Sequence, residues 1–178
     1  MRKQYFYLFV ILILLTFGCK DGKPIQPQTD LTIASPTAST LKKATKNYLS
    51  AWSDNDTILH QLVTIKNLVR NVNGEIISVN QNELFKTMQF WHRAMPDFKM
   101  VEKEINVVGN RTYVNWTGTG TNTGMFGKVP PSGKKGHTEG ISILTFDDTG
   151  HIVHEAVCFD LLGLMEEWGY TISPPVMK

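Results

Sequence analysis

Strand-like sequence, divided by turn signals, occupies the C-terminal half of this 178-residue chain. The turn signals are Gly109-Asn110 and Asp147-Asp148-Thr149-Gly150, and a glycine- and proline-rich connector runs from Gly124 to Gly133. The runs between them are rich in β-branched and aromatic residues, which predicts strands joined into an antiparallel sheet. The predicted strands are residues 98–108, 111–121, 138–146 and 151–160.

Helical patterns precede these strands. Leu41 and Tyr48 belong to an apolar series at helical spacing that begins after Ser39 or Thr40, and this helix is expected to end at Asp54-Asn55-Asp56. Another predicted helix runs from Asn80 to Met95, because a residue before proline disfavours helix. Helices followed by a run of strands predict an α+β fold, with the helices on one face of a curved sheet. The remaining predicted elements are a short helix at 57–63, strands at 66–72 and 75–79, and a terminal helix at 161–168.

The N-terminus has the pattern of a secretion signal. Arg2 and Lys3 precede an almost wholly apolar stretch, 5–17, which is shorter than the about 20 residues of a membrane span. Gly18-Cys19 follows, and a small residue before cysteine resembles the lipobox of bacterial lipoproteins, although Thr16-Phe17 departs from it. We expect a signal peptide at 1–18 and a lipid anchor on Cys19 that holds the protein at the bacterial cell envelope. A plain signal or an uncleaved anchor is the alternative.

The rest of the chain is predicted to divide into a polar, proline-punctuated tether at 19–39, one folded domain at 40–172 and a loose tail at 173–178. The chain has 18 Lys and Arg residues and 16 Asp and Glu residues, and removing the leader equalises them. Without a basic cluster, no nucleic-acid partner is expected. With Cys19 lipidated, Cys158 is the only thiol, so neither a disulfide nor a cysteine-rich metal site is expected.

Asp160 is the candidate functional residue, because it ends the last predicted strand among apolar neighbours. A poorly solvated carboxylate is a candidate general acid or base, but Asp160 could equally cap the helix that follows it. Alternate residues of a strand point to opposite faces, so His154, Ala156 and Cys158 share the face of Asp160. This face is smaller and more polar than the face of Glu155, which is typical of a pocket lining.

An ordered set of short motifs extends over most of residues 41–170. These motifs are Met95-Pro96-Asp97-Phe98, Trp116-Thr117-Gly118, Gly127, Pro131-Ser132-Gly133, Gly140-Ile141-Ser142-Ile143, and the run from Gly150-His151-Ile152-Val153 through Phe159-Asp160-Leu161-Leu162-Gly163-Leu164 to Gly169. In this order and spacing they resemble the SnoaL-like polyketide cyclases and the wider ester-cyclase-like group.

The resemblance implies a nuclear-transport-factor-like cone, in which a strongly curved, mixed but mainly antiparallel sheet and N-terminal helices enclose a deep pocket. It also implies a homodimer through the open sheet face, and an aspartate that acts as acid/base in ring closure without metal or cofactor. Asp160 matches that aspartate. Trp91, Trp116 and Phe126 are expected to line the pocket. Ala156 stands where the family commonly has tryptophan, so the ligand is expected to differ.

Three functions remain open from the sequence. The first is a cofactor-free cyclase, isomerase or lyase that acts on a small hydrophobic carbonyl compound. The second is a non-catalytic, membrane-tethered domain that binds such a compound. The third is an interaction module of the cell envelope, in which the open sheet face binds another protein.

Overall fold

The computed structural model describes residues 35–171 and 173–174. The predicted leader, Cys19 and most of the predicted tether lie outside the described residues, as does most of the predicted tail. The described elements are α1 (Ala38–Asp54), α2 (Thr57–Val63), β1 (Thr64–Val72), β2 (Glu75–Asn80), α3 (Gln81–Ala94), β3 (Lys99–Val108), β4 (Arg111–Thr121), β5 (Lys135–Phe146), β6 (Ile152–Phe159) and α4 (Leu161–Glu167).

Local signals explain where the long helices begin and end. Thr37 caps α1 by accepting the N–H of Thr40, so the cap lies two residues before Ser39 and three before Thr40, the two predicted caps. Asn55 ends α1 in the left-handed conformation, with φ of 52°. Asn80 begins α3 with a capping box, in which its side chain accepts the N–H of Glu83 and Glu83 accepts the N–H of Asn80.

The strands form one six-stranded sheet in the order β2-β1-β6-β5-β4-β3. All neighbours are antiparallel except β1 and β6, which are parallel. Register shifts interrupt the β1–β6, β3–β4 and β5–β6 pairings, and such irregularities bend and twist a sheet. The prediction of an α+β fold with a mixed, mainly antiparallel sheet is confirmed.

Helices α1 and α3 bury apolar side chains against one face of this sheet, here called the inner face. Leu41 and Tyr48 of α1 and Met88 of α3 pack with Leu144 of β5 in the main core cluster. Another core cluster packs α4 against the C-terminal end of α3. The helices and the inner face therefore enclose the interior between them. No helix among the described residues is long and apolar enough to cross a membrane.

Candidate functional site

A cavity of about 170 Å³ lies between helices α1 and α3 and the inner face of the sheet. Much of its wall is aromatic, since Trp91, Phe98, Trp116 and Phe159 all line it. The ring centroids of Trp91 and Phe159 are 5.9 Å apart, and those of Trp116 and Phe159 are 6.2 Å apart. Gly140 makes room for the Trp116 ring, because a Cβ at this position would overlap the indole. The cavity thus offers an apolar ligand close packing against flat rings.

Four side chains form a polar end of this cavity: Tyr48, Arg70, Ser142 and Glu155. Arg70 Nε donates to Glu155 Oε2 at 2.6 Å, and both side chains are less than 10% exposed (8% and 3%). Ser142 Oγ lies 3.5 Å from Glu155 Oε1 and accepts the indole N–H of Trp116 at 3.0 Å. The polar end is therefore a buried, partly connected hydrogen-bond network within an otherwise apolar enclosure.

Strand pairing explains why the buried ion pair forms. Arg70 of β1 and Glu155 of β6 are direct partners in the parallel register, so their side chains lie on the same face of neighbouring strands. The Arg70 guanidinium carbon also lies 5.2 Å from the centroid of the Trp52 ring, which is a favourable position for a cation. An acidic partner at one edge and an aromatic face together hold the guanidinium in one orientation.

Burial and charge keep the donors of the polar end protonated. Burial favours a lower pKa for Arg70, but the Glu155 carboxylate and Tyr48 outweigh it, and the pKa is raised. The pKa of Tyr48 is raised well above its usual range, first by burial and then by the charge of Glu155. The Tyr48 hydroxyl makes no well-formed hydrogen bond to the described residues, although Glu155 lies near enough to raise its pKa through hydrogen bonding as well as through charge. An unpaired buried hydroxyl is costly and needs an explanation.

His60 lies behind the polar end and is fully buried. Its ring centroid is 5.1 Å from that of Tyr48, and its Nδ1 lies 3.2 Å from the Thr64 hydroxyl. Burial, and to a lesser extent the charge of Arg70, lowers the pKa of His60 to about 4. The imidazole is therefore neutral at pH 7.

The aromatic residues predicted for the pocket lie at or next to it. Trp91 and Trp116 line the cavity. Phe126 is not among the lining residues, but its ring centroid is 5.2 Å from that of Trp91 and 5.5 Å from that of Trp168. Phe126 therefore supports the aromatic wall from behind.

Asp160 lies outside the cavity lining. Its exposed side chain accepts the N–H of Gly163 at 2.8 Å and caps α4. The capping role that the sequence left as an alternative is therefore present, whereas the acid/base role stays a prediction. The backbone carbonyl of Asp160 accepts the Thr138 hydroxyl at 2.8 Å, and Thr138 does line the cavity.

The face of β6 that carries His154, Ala156 and Cys158 is the outer face of the sheet. None of the three lines the cavity, and Cys158 is exposed. The cavity-lining residues of this strand are Glu155, Val157 and Phe159. The alternation along the strand was predicted correctly, but alternation alone does not tell which face the helices cover.

Sequence reasoning missed Tyr48, Arg70, Ser142 and Glu155 as site residues. One signal was available, since Arg70 lies between Leu68 and Val72 on the same strand face, and Glu155 shares its face with Val157. A charged residue on an otherwise apolar strand face indicates a buried partner or a ligand. Among the described residues, no group of three or more His, Cys, Asp or Glu side chains is placed to hold a metal ion.

Comparison with known proteins identifies the family. The SnoaL-like polyketide cyclase profile matches residues 42–168, and the chain belongs to this family. AclR of Streptomyces galilaeus, described as a candidate hydroxylase, has a TM-score of 0.68 at 21% identity, with 79% of this chain and 87% of AclR covered. No curated protein sequence matches the chain.

Two further solved structures share the fold. IdmH of Streptomyces antibioticus, described as a candidate polyketide cyclase, has a TM-score of 0.66 at 17% identity, covering 73% of this chain and 99% of IdmH. TsrD of Streptomyces laurentii has a TM-score of 0.67 at 18% identity, covering 75% of this chain and 98% of TsrD. The cone-like α+β fold expected from the sequence is therefore shared with these proteins.

Proposed function

We propose that this domain binds a small, mostly apolar carbonyl compound in the cavity beneath α1 and α3. The observation that carries the proposal is the aromatic wall together with a buried, charged polar end. An apolar cavity of about 150 Å³ is large enough to bind benzene. The cavity here, of about 170 Å³, therefore suits one ring with a short substituent. An oxygen on that substituent would accept hydrogen bonds from the donors at the polar end, Arg70 and Tyr48.

Binding measurements, and a variant whose new side chain fills the cavity, test this proposal. Native mass spectrometry of the full-length protein, as purified, would show whether a discrete small molecule accompanies it. A titration with acetophenone, followed by NMR, would measure binding directly.

Val157 lines the cavity and is 5% exposed, so Val157→Phe is expected to abolish binding. Val108 is 64% exposed, and Val108→Phe is the matched control that keeps it. Equal binding by both variants would contradict the proposal.

Turnover is the finer form of the same proposal, with Asp160 as acid/base of a cofactor-free cyclase, isomerase or lyase. The family and the descriptions of AclR and IdmH support chemistry on small molecules. Such a role requires the Asp160 carboxylate to leave its capping bond to Gly163. When a substrate has been identified, Asp160→Asn is expected to abolish its turnover and to leave the binding affinity unchanged. Unchanged turnover would remove Asp160 from the mechanism and leave a binding domain.

A lipid anchor on Cys19 and a place at the bacterial cell envelope are also proposed, on the leader pattern alone. Bacteria that express the full chain can be fed an alkyne-tagged fatty acid. We expect label in the membrane-bound wild type and in Cys158→Ser, and none in Cys19→Ser. Label that survives Cys19→Ser would refute the anchor.

A homodimer through the outer face of the sheet is proposed as the resting state. Val69, Val101 and Ile141 are 39%, 59% and 41% exposed on this face, and burying such apolar side chains favours association. Light scattering after size exclusion should give twice the chain mass for the wild type, and the monomer mass for Ile141→Lys. Ile58→Lys, on α2 and away from this face, is the control. If the outer face serves instead to bind another envelope protein, the purified wild type is expected to be a monomer.

A further inference from the structure

Arg70 has more hydrogen-bond donors than its surroundings use. A guanidinium carries five N–H donors in a fixed plane. The Nε of Arg70 donates to Glu155, and the Tyr48 hydroxyl is near enough to act as an acceptor that helps raise the pKa of Arg70, which still leaves terminal Nη donors without a partner among the described residues. The side chain lines the cavity and is 8% exposed, and its guanidinium carbon lies 5.2 Å from the centroid of the Trp52 ring. The uncommitted donors are therefore available to a ligand that enters the cavity.

Glu155 decides which kind of oxygen these donors can bind. Its carboxylate already balances the charge of Arg70, so the polar end carries no net charge from this pair. A ligand carboxylate would add a second negative charge to a buried site beside Glu155, and an unpaired buried charge is strongly unfavourable. A neutral carbonyl oxygen adds no charge and accepts hydrogen bonds from a charged donor, which are stronger than neutral ones.

We propose that Arg70 binds the neutral carbonyl oxygen of the ligand through its terminal N–H groups, with Glu155 as the positioning residue that excludes carboxylates. This inference rests on the proposed function, because it names the ligand group that the same cavity selects. The Tyr48 hydroxyl, which makes no well-formed hydrogen bond beside this pair, is the neighbouring donor. A carboxylic acid with the same ring as a well-bound ketone is therefore expected to bind weakly, because its carboxylate would lie beside Glu155.

Three probes of nearly the same size separate the contributions. Acetophenone carries a neutral carbonyl, isopropylbenzene replaces its oxygen with a methyl group, and benzoate carries a carboxylate. Titration of the full-length wild-type protein, followed by NMR, is expected to rank acetophenone first, isopropylbenzene second and benzoate last. The side-chain N–H signals of Arg70 should shift with acetophenone and remain in place with isopropylbenzene. A wild type that binds acetophenone no better than isopropylbenzene would overturn the inference.

Two variants test the residues themselves. Arg70→Met combined with Glu155→Leu removes both charges at once, a replacement that buried ion pairs tolerate better than the loss of one partner. The double variant should bind isopropylbenzene at least as tightly as the wild type does, because its cavity is more apolar, and acetophenone about tenfold more weakly, which corresponds to about 1.4 kcal/mol. Glu155→Gln keeps the shape but leaves a net positive site, so benzoate should bind about tenfold more tightly than to the wild type.

The outcomes separate this inference from the proposed function. If none of the probes binds the wild type, the proposed function fails and this inference fails with it. If isopropylbenzene and acetophenone bind alike, and the double variant changes neither affinity, the cavity binds ligands but Arg70 does not select them. If Glu155→Gln gains no affinity for benzoate, the exclusion of carboxylates by Glu155 is refuted.

Discussion

Acidification should destabilise this domain through one residue, His60. The imidazole is fully buried beside Tyr48, and burial lowers its pKa from 6.5 to about 4. The unfolded chain therefore binds a proton at pH values where the folded protein does not, and stability falls as the pH falls. The stabilisation is complete above about pH 6.5 and is lost as the pH approaches 4.

The magnitude follows from the shift. Each unit of pKa shift corresponds to about 1.4 kcal/mol, so a fall from 6.5 to about 4 corresponds to about 3 kcal/mol in total. About 2 kcal/mol of this should already be lost at pH 5. A domain with a stability of about 5–15 kcal/mol would show such a loss clearly.

Urea unfolding at pH 7, 6 and 5, followed by circular dichroism, measures this loss. His60→Phe keeps an aromatic ring beside Tyr48 and removes the titrating group, while the Thr64 hydroxyl keeps its bond to the backbone carbonyl of residue 60. Each protein is compared with itself across pH, so a packing cost in the variant does not enter the comparison. If the wild type loses no more stability than His60→Phe between pH 7 and 5, the buried-imidazole explanation is refuted.

Three further changes probe the scaffold by the same unfolding assay. Gly140→Ala should cost about 1–3 kcal/mol, because the new Cβ would overlap the Trp116 ring; no loss would show that the sheet yields there. Asp160→Ala should cost about 1 kcal/mol, since it removes the cap on Gly163, whereas Asp160→Asn should cost less; equal costs would contradict the capping role. Asn122 is buried and holds both sides of the loop at 123–133, so Asn122→Ala should cost about 2 kcal/mol and expose that loop to proteolysis; an unchanged cleavage pattern would oppose this assignment.

The secondary structure was largely predictable because its signals are local. The Met95-Pro96 pair ends α3, the Asn73-Gly74 pair turns between β1 and β2, and Gly109-Asn110 turns between β3 and β4. Each signal acts within a few residues through backbone geometry. The order of helices and strands then restricted the fold to an α+β architecture, which the structure has.

The cavity could be predicted only in part. Trp91 lies on the apolar face of α3 and Trp116 is a large aromatic residue in a strand, and both line the cavity. The position of Asp160 after an apolar strand predicts a candidate acid/base, and the same position makes it a helix cap. Local sequence does not distinguish a carboxylate near a ligand from one that binds a backbone N–H.

The sequence by itself determined the elements, their order and the two faces of each strand, since these depend on neighbours along the chain. Only the tertiary structure decided which face of β6 meets the helices, and that Arg70 meets Glu155, 85 residues away along the chain. Their contact depends on the parallel pairing of β1 and β6, which no local signal specifies. The polar end of the cavity is therefore a product of long-range strand pairing, because residues so distant along the chain meet only when β1 and β6 pair.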